Sequence, residues 1–166
     1  MDHIEVKFKL LSLDARLPEL GTEGAAAYDL FSSKSMIVSK GSTIIPVDIA
    51  IEMPRTIKAN VRARSGNSLK GIEGFDFVVD HNGEVVVSGT PNRFDADVVL
   101  GLIDSDYRGA IGVIVKSNED RSFIIPQGAR IAQLEFSFVP PINLKQVAEL
   151  SETERGEGGF GHTGTN

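Results

Sequence analysis

Along most of the chain, apolar residues alternate with polar ones, as in a strand with one face in a core and the other in solvent. The alternation is clearest over 4–10, 47–52 and 133–138. Shorter β-branched runs, each bounded by Gly, Pro, Asn or Asp, lie at 85–87, 98–103, 111–115 and 123–125. Helical spacing is confined to a single turn near 67–70. The pattern therefore predicts an all-β fold, a sandwich or a barrel.

Three stretches depart from this alternation. Within 73–97, the sequence FVVDHNGEVVV places Asn82-Gly83 between two β-rich arms, which predicts an added hairpin closed by a tight type I′ turn. The prolines in 139–141 predict the end of the last long strand, because proline cannot donate to a ladder. We expect a β domain over 1–150 and a flexible, glycine-rich C-terminal arm over 151–166.

Composition narrows the classes of function. The formal net charge of −6 argues against a protein that grips nucleic acid through its backbone, because that mode needs clustered positive charge. The absence of cysteine excludes disulfides, thiolate metal sites and cysteine nucleophiles. No targeting segment or bilayer-length apolar run is present. We expect a soluble, cytoplasmic protein that binds neither nucleic acid nor membrane.

The segment 101–112 carries the first candidate chemistry. Asp104 follows the apolar pair Leu102-Ile103, so we expect its carboxylate to be partly desolvated and able to accept a proton from water. Tyr107 would form the wall of a pocket. The alternative is an ordinary turn between two strands, for which Asp-Ser-Asp is good chemistry.

Two further segments could hold an anion. Arg64, Ser65 and the Gly66 amide offer charge, a hydroxyl and a backbone donor to phosphate, although a solvated basic loop would look the same. In the tail, glycines let backbone N–H groups turn toward an anion, Arg155 offers a fork for phosphate oxygens, and Phe160 offers a face for a base. The alternative for the tail is a frayed terminus.

Taken in order, these segments resemble the five motifs of the trimeric deoxyuridine triphosphatases (dUTPases). The matching segments are 24–30, 64–66, 101–109, 128–134 and 155–164. The resemblance implies a jelly-roll-like (β-clip) subunit in a homotrimer with shared active sites, the fifth motif closing over a neighbour's site. It also implies the reaction, in which dUTP and water give dUMP and pyrophosphate, with Mg²⁺ on the triphosphate.

The resemblance assigns a role to individual residues. Asp104 would be the general base, and Tyr107 would lie under the deoxyribose and leave no room for a 2′-hydroxyl. Backbone groups near Gly101 and Gly112 would select uracil, and Phe160 would stack on it. Phosphate would be contacted by Arg64, Ser65, Gly66, Gln133, Arg155, Gly161 and Thr163. Asp29 would act on the metal indirectly, through its waters.

The chain departs from the family pattern at several positions. Ala27 replaces a usual glycine, Ala110 stands where glutamate is common, and His162 replaces a usual serine. The largest departure is 73–97, which lengthens the connection between the second and third motifs. This added hairpin is either a surface that binds a protein partner or regulates the trimer, or a neutral elaboration.

Two other functions compete with dUTP hydrolysis. The related dCTP deaminases use a glutamate on the strand after the third motif, but 110–116 contains no acidic residue. The same fold could also act as a nucleotide-dependent regulatory trimer that signals through 73–97. Asp104 argues against a catalytically silent trimer but leaves a second role open.

Overall fold

The computed structural model describes residues 3–159 and confirms the all-β expectation. Only one helix lies in this part of the chain, α1 (Ser65–Lys70), and it is far too short to cross a bilayer. The strands are β1 (Lys7–Leu10), β2 (Glu19–Leu20), β3 (Tyr28–Phe31), β4 (Met36–Val38), β5 (Gly41–Pro46), β6 (Ile49–Glu52), β7 (Ile57–Arg62), β8 (Ile72–Val79), β9 (Val85–Phe94), β10 (Ala96–Val98), β11 (Gly101–Ile103), β12 (Gly112–Ser117), β13 (Phe123–Ile125) and β14 (Arg130–Phe138).

The strands form four antiparallel sheets in the described part of the chain. Their orders are β1-β6, β10-β12-β5, β11-β7-β14-β3-β2 and β4-β13-β8-β9. The inward faces share one apolar core, in which Phe94 and Phe123 stack with ring centroids 4.1 Å apart. Alternation correctly predicted the inward face of β6, since Val47, Ile49 and Ile51 are all buried.

The N-terminal segment is shorter and more exposed than its alternation predicts. Only 7–10 of the expected 4–10 forms a strand, and Ile4 and Leu10 are about half exposed. The strand pairs with β6 alone in the described chain, and Phe8 and the preceding Val6 are only partly buried against the core. Lys7 and Glu52 lie opposite each other at 2.8 Å, and their hydrogen bond raises the pKa of Lys7 and lowers that of Glu52.

The apolar run 98–103, expected as one strand, is divided between two sheets. Residues up to Val98 pair with β12, whereas Gly101 onward pairs with β7. The exposed Val99-Leu100 step carries the chain from one sheet to the other. The crossing makes β11 an edge strand and opens a gap between β11 and β12.

The 73–97 segment contains a long hairpin with two distinct parts. At its base, Ile72, Glu73 and Gly74 pair with Phe94, Arg93 and Asn92. The register then shifts, so that 89–91, which includes Gly89 and Pro91, bulges opposite Phe75. Beyond the bulge, 76–79 pairs with 85–88 in a ribbon whose valines are 43–60% exposed. The interpretation of 73–97 as a partner-binding element stays a prediction.

The turn of this hairpin differs from the predicted type I′ turn. A type I′ turn needs positive φ at both central residues, but only Gly83, at φ 82, has it. Instead, the loop has three residues, because the Gly83 N–H donates to Asp80 O at 3.0 Å and the Asp80 and Glu84 backbones pair. The Asp80 carboxylate accepts hydrogen bonds from the backbone N–H groups of Asn82 and Glu84. This side-chain cap, which local turn preferences do not register, selects the longer loop.

Gly71 joins α1 to the base of the hairpin in a conformation open essentially to glycine alone. Its φ of 78° and ψ of 172° lie outside the regions of L-residues. A Cβ there would also collide with the Phe94 backbone carbonyl. Gly128 has the same sign of φ, at 79°, but no atom lies within 4 Å of the place where its Cβ would be. Comparing substitutions at the two glycines therefore distinguishes the cost of backbone strain from the cost of a steric collision.

We expect Gly71→Ala to destabilise the protein by more than the roughly 1–3 kcal/mol that such a backbone conformation costs a residue with a side chain, because the Phe94 backbone must also move. Gly128→Ala should lower the free energy of unfolding by only the smaller amount, because no collision is added there. Urea denaturation monitored by circular dichroism measures both free energies of unfolding. Equal losses would show that the collision at Gly71 is relieved without cost.

Candidate active site

The third-motif residues line a pocket between β11 and β12. This pocket has a volume of about 260 Å³, and its walls include Gly101, Asp104, Tyr107 and Gly112. Because β11 is the edge of its sheet, one side of its backbone has no strand partner within the described chain. Unpaired N–H and C=O groups at such an edge can read the donor and acceptor pattern of a planar ligand.

Tyr107 is fixed by the turn that carries it. Its backbone N–H donates to Asp104 O at 3.1 Å, and its hydroxyl donates to Ala110 O at 3.0 Å. A Cβ at Gly109 would strike the phenol ring, so glycine is needed there for the ring to fold back over the turn. The ring is 47% exposed and forms one wall of the pocket.

Asp104 is exposed in the single chain, contrary to the desolvation expected from its apolar neighbours. The reason is strand alternation: Ile103 points into the core, so Leu102 and Asp104 face outward, and Leu102 is itself 61% exposed. Any exclusion of water from this carboxylate must therefore come from a bound ligand or another chain.

A second group of predicted residues surrounds the buried carboxylate of Asp29, which is 4% exposed. Its Oδ1 accepts hydrogen bonds from Arg64 Nε at 3.1 Å and from Gln133 Nε2 at 3.3 Å. Its Oδ2 lies 3.5 Å from Arg130 Nη1. We call these four residues the Asp29 cluster. It joins the first, second and fourth motifs and leaves two guanidinium groups facing solvent.

Strand register explains how the Asp29 cluster forms. Within the central sheet β14 lies between β3 and β7, and Gln133 is opposite both Asp29 and Arg62. Arg64 follows two positions after Arg62, where β7 has ended and its side chain can turn back toward Asp29. Arg130 is a member of this cluster that sequence reasoning passed over, although it lies inside the fourth motif. Its only sequence signal is a charge beside an apolar strand.

The two groups lie at opposite ends of the sheet within one chain. Gly101 pairs with Val61 and Ile103 with Ala59, so continuing the register places Asp104 beside Lys58. Arg64 lies six positions further along the same strand direction, which corresponds to about 20 Å. A single triphosphate cannot touch both ends, because its phosphorus atoms span far less than this distance.

The remaining predicted residues fall outside these two groups. Ser65 and Gly66 follow Arg64 directly, at the exposed start of α1. Arg155 makes a local hydrogen bond from Nε to Gly158 O at 2.8 Å, in a segment without strand or helix. Three further predicted residues lie outside the described part of the chain: Phe160, Gly161 and Thr163.

The described residues do not form a protein cage for a metal ion. No group of three or more histidine or acidic side chains is arranged to hold a metal in 3–159. Asp29, the residue expected near the metal, has both oxygens directed at Arg64, Gln133 and Arg130. Magnesium commonly binds proteins together with substrate phosphates and retains several waters. Within the described residues, direct ligation of a metal by Asp29 would have to displace these nitrogen donors.

Comparison with known proteins places the chain in a family. The model of the dUTPase family matches residues 14–90 and 88–164. The deoxyuridine 5′-triphosphate nucleotidohydrolase of Clostridium tetani is 37% identical over 165 residues, which cover 99% of both chains. That of Oryza sativa is 36% identical over 160 residues, covering 96% of this chain and 80% of the relative.

A solved structure shows the same fold. The dUTPase of Staphylococcus bacteriophage 80alpha with dUPNHPP superposes with a TM-score of 0.78 at 28% identity, covering 97% of this chain and 99% of that one. The all-β architecture, the matched motifs and the full-length relatives agree with one another. The chain belongs to the dUTPase family.

Proposed function

We propose that this dUTPase hydrolyses dUTP to dUMP and pyrophosphate at a site shared between subunits, with Asp104 as the general base. The observation that carries the proposal is the division of one sheet into a nucleoside-sized pocket beside Asp104 and a cationic cluster around Asp29 at the other end. Each end supplies half of what a nucleoside triphosphate requires. The membership in the dUTPase family supports the substrate and the reaction.

The pocket beside Asp104 would receive the uracil and the deoxyribose. Backbone groups near Gly101 and Gly112 would offer both a donor and an acceptor to the base, so that cytosine would leave buried polar groups unpaired. The Tyr107 ring, held by Ala110 O, would pack under the sugar and exclude a 2′-hydroxyl. Phe160, in the fifth motif, would stack on the base.

The Asp29 cluster would receive the phosphates. Arg64, whose Nη1 approaches Arg130 O at 3.4 Å, would offer Nη2 to phosphate oxygens, with the Ser65 hydroxyl, the Gly66 amide and Gln133 beside it. Asp29 would act as a positioning residue, because it holds Arg64 by Nε and Arg130 by Nη1. Arg155, Gly161 and Thr163 would close over the γ-phosphate end.

Chemistry would begin with a water placed between Asp104 and the α-phosphorus. Asp104 would take one proton as the water oxygen bonds to the phosphorus, and the bond from that phosphorus to the bridging oxygen would break, releasing pyrophosphate. The triphosphate would carry Mg²⁺, which would neutralise part of its charge. Arginines around the phosphates would stabilise the charge that develops on the leaving group.

Asp104 and the Asp29 cluster can meet on one nucleotide only if they come from different subunits, since about 20 Å separates them within a chain. A closed ring of identical subunits supplies such pairs by symmetry. The homotrimer implied by the family satisfies this requirement. It would also cover the exposed Leu102 and Asp104 with a neighbour and so exclude water from the base.

Replacing Asp104 by asparagine should lower kcat by at least about a hundredfold, because the amide cannot accept the proton. The affinity for dUPNHPP should stay nearly unchanged, since the substitution preserves shape. Pyrophosphate release measures the first quantity and calorimetric titration the second. If Asp104→Asn kept most of its turnover, another residue would be the base.

Mixed assemblies test the shared site directly. Asp104→Asn lacks the base, while Ser65→Asp places a carboxylate where phosphates should bind, on an exposed residue whose change spares the core. Neither variant should turn over dUTP alone. Co-expressed in equal amounts, they should regain about a quarter of wild-type activity, because one neighbour pair in four combines an intact base with an intact phosphate site.

The control for this experiment co-expresses two differently tagged copies of Asp104→Asn, which should stay inactive. Isolating particles that carry both tags confirms that the variants have assembled together. Mixed particles without activity would place the base and the phosphate site in one subunit, against the distance between them.

Sugar selection gives a further test. Tyr107→Ala should reduce the preference for dUTP over UTP by about tenfold, because the cavity left by the ring admits a 2′-hydroxyl. Tyr107→Phe retains the ring and serves as the matched control. Pyrophosphate release from dUTP, UTP, dCTP and dTTP gives the ratios of kcat/KM. An unchanged dUTP/UTP ratio in Tyr107→Ala would remove the ring from sugar discrimination.

A further inference from the structure

A cleft of about 520 Å³ beside the Asp29 cluster brings three arginines together. Arg64 and Arg130 line it from the second and fourth motifs, and Arg93 lines it from the base of the 73–97 hairpin. Glu73 is the only acidic side chain among the described residues that line the cleft. Asp29 pairs with Arg64 and Arg130, and Glu73 pairs with Arg93, so three guanidinium groups face two carboxylates around this opening.

One terminal nitrogen of Arg93 is held by the backbone and a buried amide, and the other makes an exposed contact that another acceptor could take over. Its Nη1 donates to the Gly71 carbonyl at 3.1 Å and approaches Asn67 Oδ1 at 3.5 Å. Asn67 is 5% exposed and is itself fixed, because its Nδ2 donates to Ile131 O. The other terminal nitrogen, Nη2, donates to Glu73 Oε2 at 3.2 Å. The backbone and the buried amide thus hold the guanidinium at the mouth of the cleft.

The ion pair between Arg93 and Glu73 is the contact that a bound anion could replace. The side chains of Arg93 and Glu73 are 42% and 59% exposed, and exposed pairs of this kind contribute little to stability. A phosphate presents more negative charge than a carboxylate and suits the planar fork of arginine. Polyphosphate in the cleft would therefore compete with Glu73 for Nη2.

We propose that Arg93 is a further polyphosphate-binding residue of the dUTP site, supplied by the 73–97 segment, and that Glu73 is the counter-ion it leaves when the nucleotide binds. The inference rests on the proposed function, which puts the triphosphate at the Asp29 cluster. It gives the base of the added hairpin a role in substrate affinity, separate from any role of the exposed ribbon.

Arg93→Ala should raise the KM for dUTP about tenfold and leave kcat nearly unchanged, because a charge-assisted contact to substrate is lost while the base is untouched. Inhibition by pyrophosphate should weaken by a similar factor, whereas inhibition by dUMP should not change. Arg93→Lys should restore part of the affinity. Arg121→Ala is the matched control, since Arg121 pairs with Asp76 at the same hairpin but does not line the cleft.

Glu73→Gln separates phosphate binding from a merely structural ion pair. Freeing Arg93 should lower the KM for dUTP and strengthen inhibition by pyrophosphate, opposite in direction to Arg93→Ala. In the Arg93→Ala background the same change should have little effect, because Glu73 acts through Arg93. Thermal unfolding of each variant checks that the fold is retained, and Arg93→Gln replaces Arg93→Ala if alanine does not fold.

Three results would overturn the inference. They are an unchanged KM in Arg93→Ala, a KM shifted in the same direction by Glu73→Gln and Arg93→Ala, and equal weakening of dUMP and pyrophosphate inhibition. Loss of kcat in Asp104→Asn would still support the proposed function in each case. Turnover retained by Asp104→Asn would instead contradict the proposed function itself.

Discussion

The burial of one carboxylate, that of Asp29, is the constraint on which the rest of the site depends. Removing a carboxylate from water is costly unless hydrogen bonds and opposite charges replace the water. Here Arg64, Gln133 and Arg130 replace it, and they come from separate parts of the chain. The same contacts that satisfy Asp29 fix the end of β7 to β14 and β3. They also direct two guanidinium groups outward. The contacts that satisfy a buried carboxylate therefore also place positive charge where an anion could bind.

The sheet that holds this carboxylate also separates the tasks of the site. Its β7 strand leads at one end to Arg64, two positions beyond the last strand residue, and pairs with β11, which leads to Asp104 near the other end. A single subunit therefore keeps the proposed phosphate site and the proposed base apart. The half-exposed Tyr107 and the exposed Leu102 are in keeping with this division, because both border a pocket open on one side in the single chain.

Alternation and turn chemistry predicted those parts of the fold that depend on neighbours in sequence. The strand at 123–125 and the single helical turn of α1 lie where the pattern placed them, and β6 buries the expected face. The break between Val98 and Gly101 was not predictable, because it depends on which distant strands receive each half. The predicted hairpin loop was one residue too short. The Asp80 side chain stabilises a three-residue loop over the two-residue turn that Asn-Gly favours. Motif resemblance assigned Arg64 and Gln133 to the phosphates and Asp29 to the waters of the metal, but Arg130 and Arg93 become visible only through cross-strand register.

The bulge at 89–91 has a further consequence for the behaviour of the protein in concentrated solution. Strand β9 is the outermost strand of its sheet and carries a run of exposed valines, a combination that invites growth by edge-to-edge addition of further molecules. Pro91 has no N–H, and the bulge around it bends the strand, so the row of donors along this edge is interrupted. An interrupted edge of this kind is a poorer template for edge-to-edge pairing, while the valine side chains stay accessible.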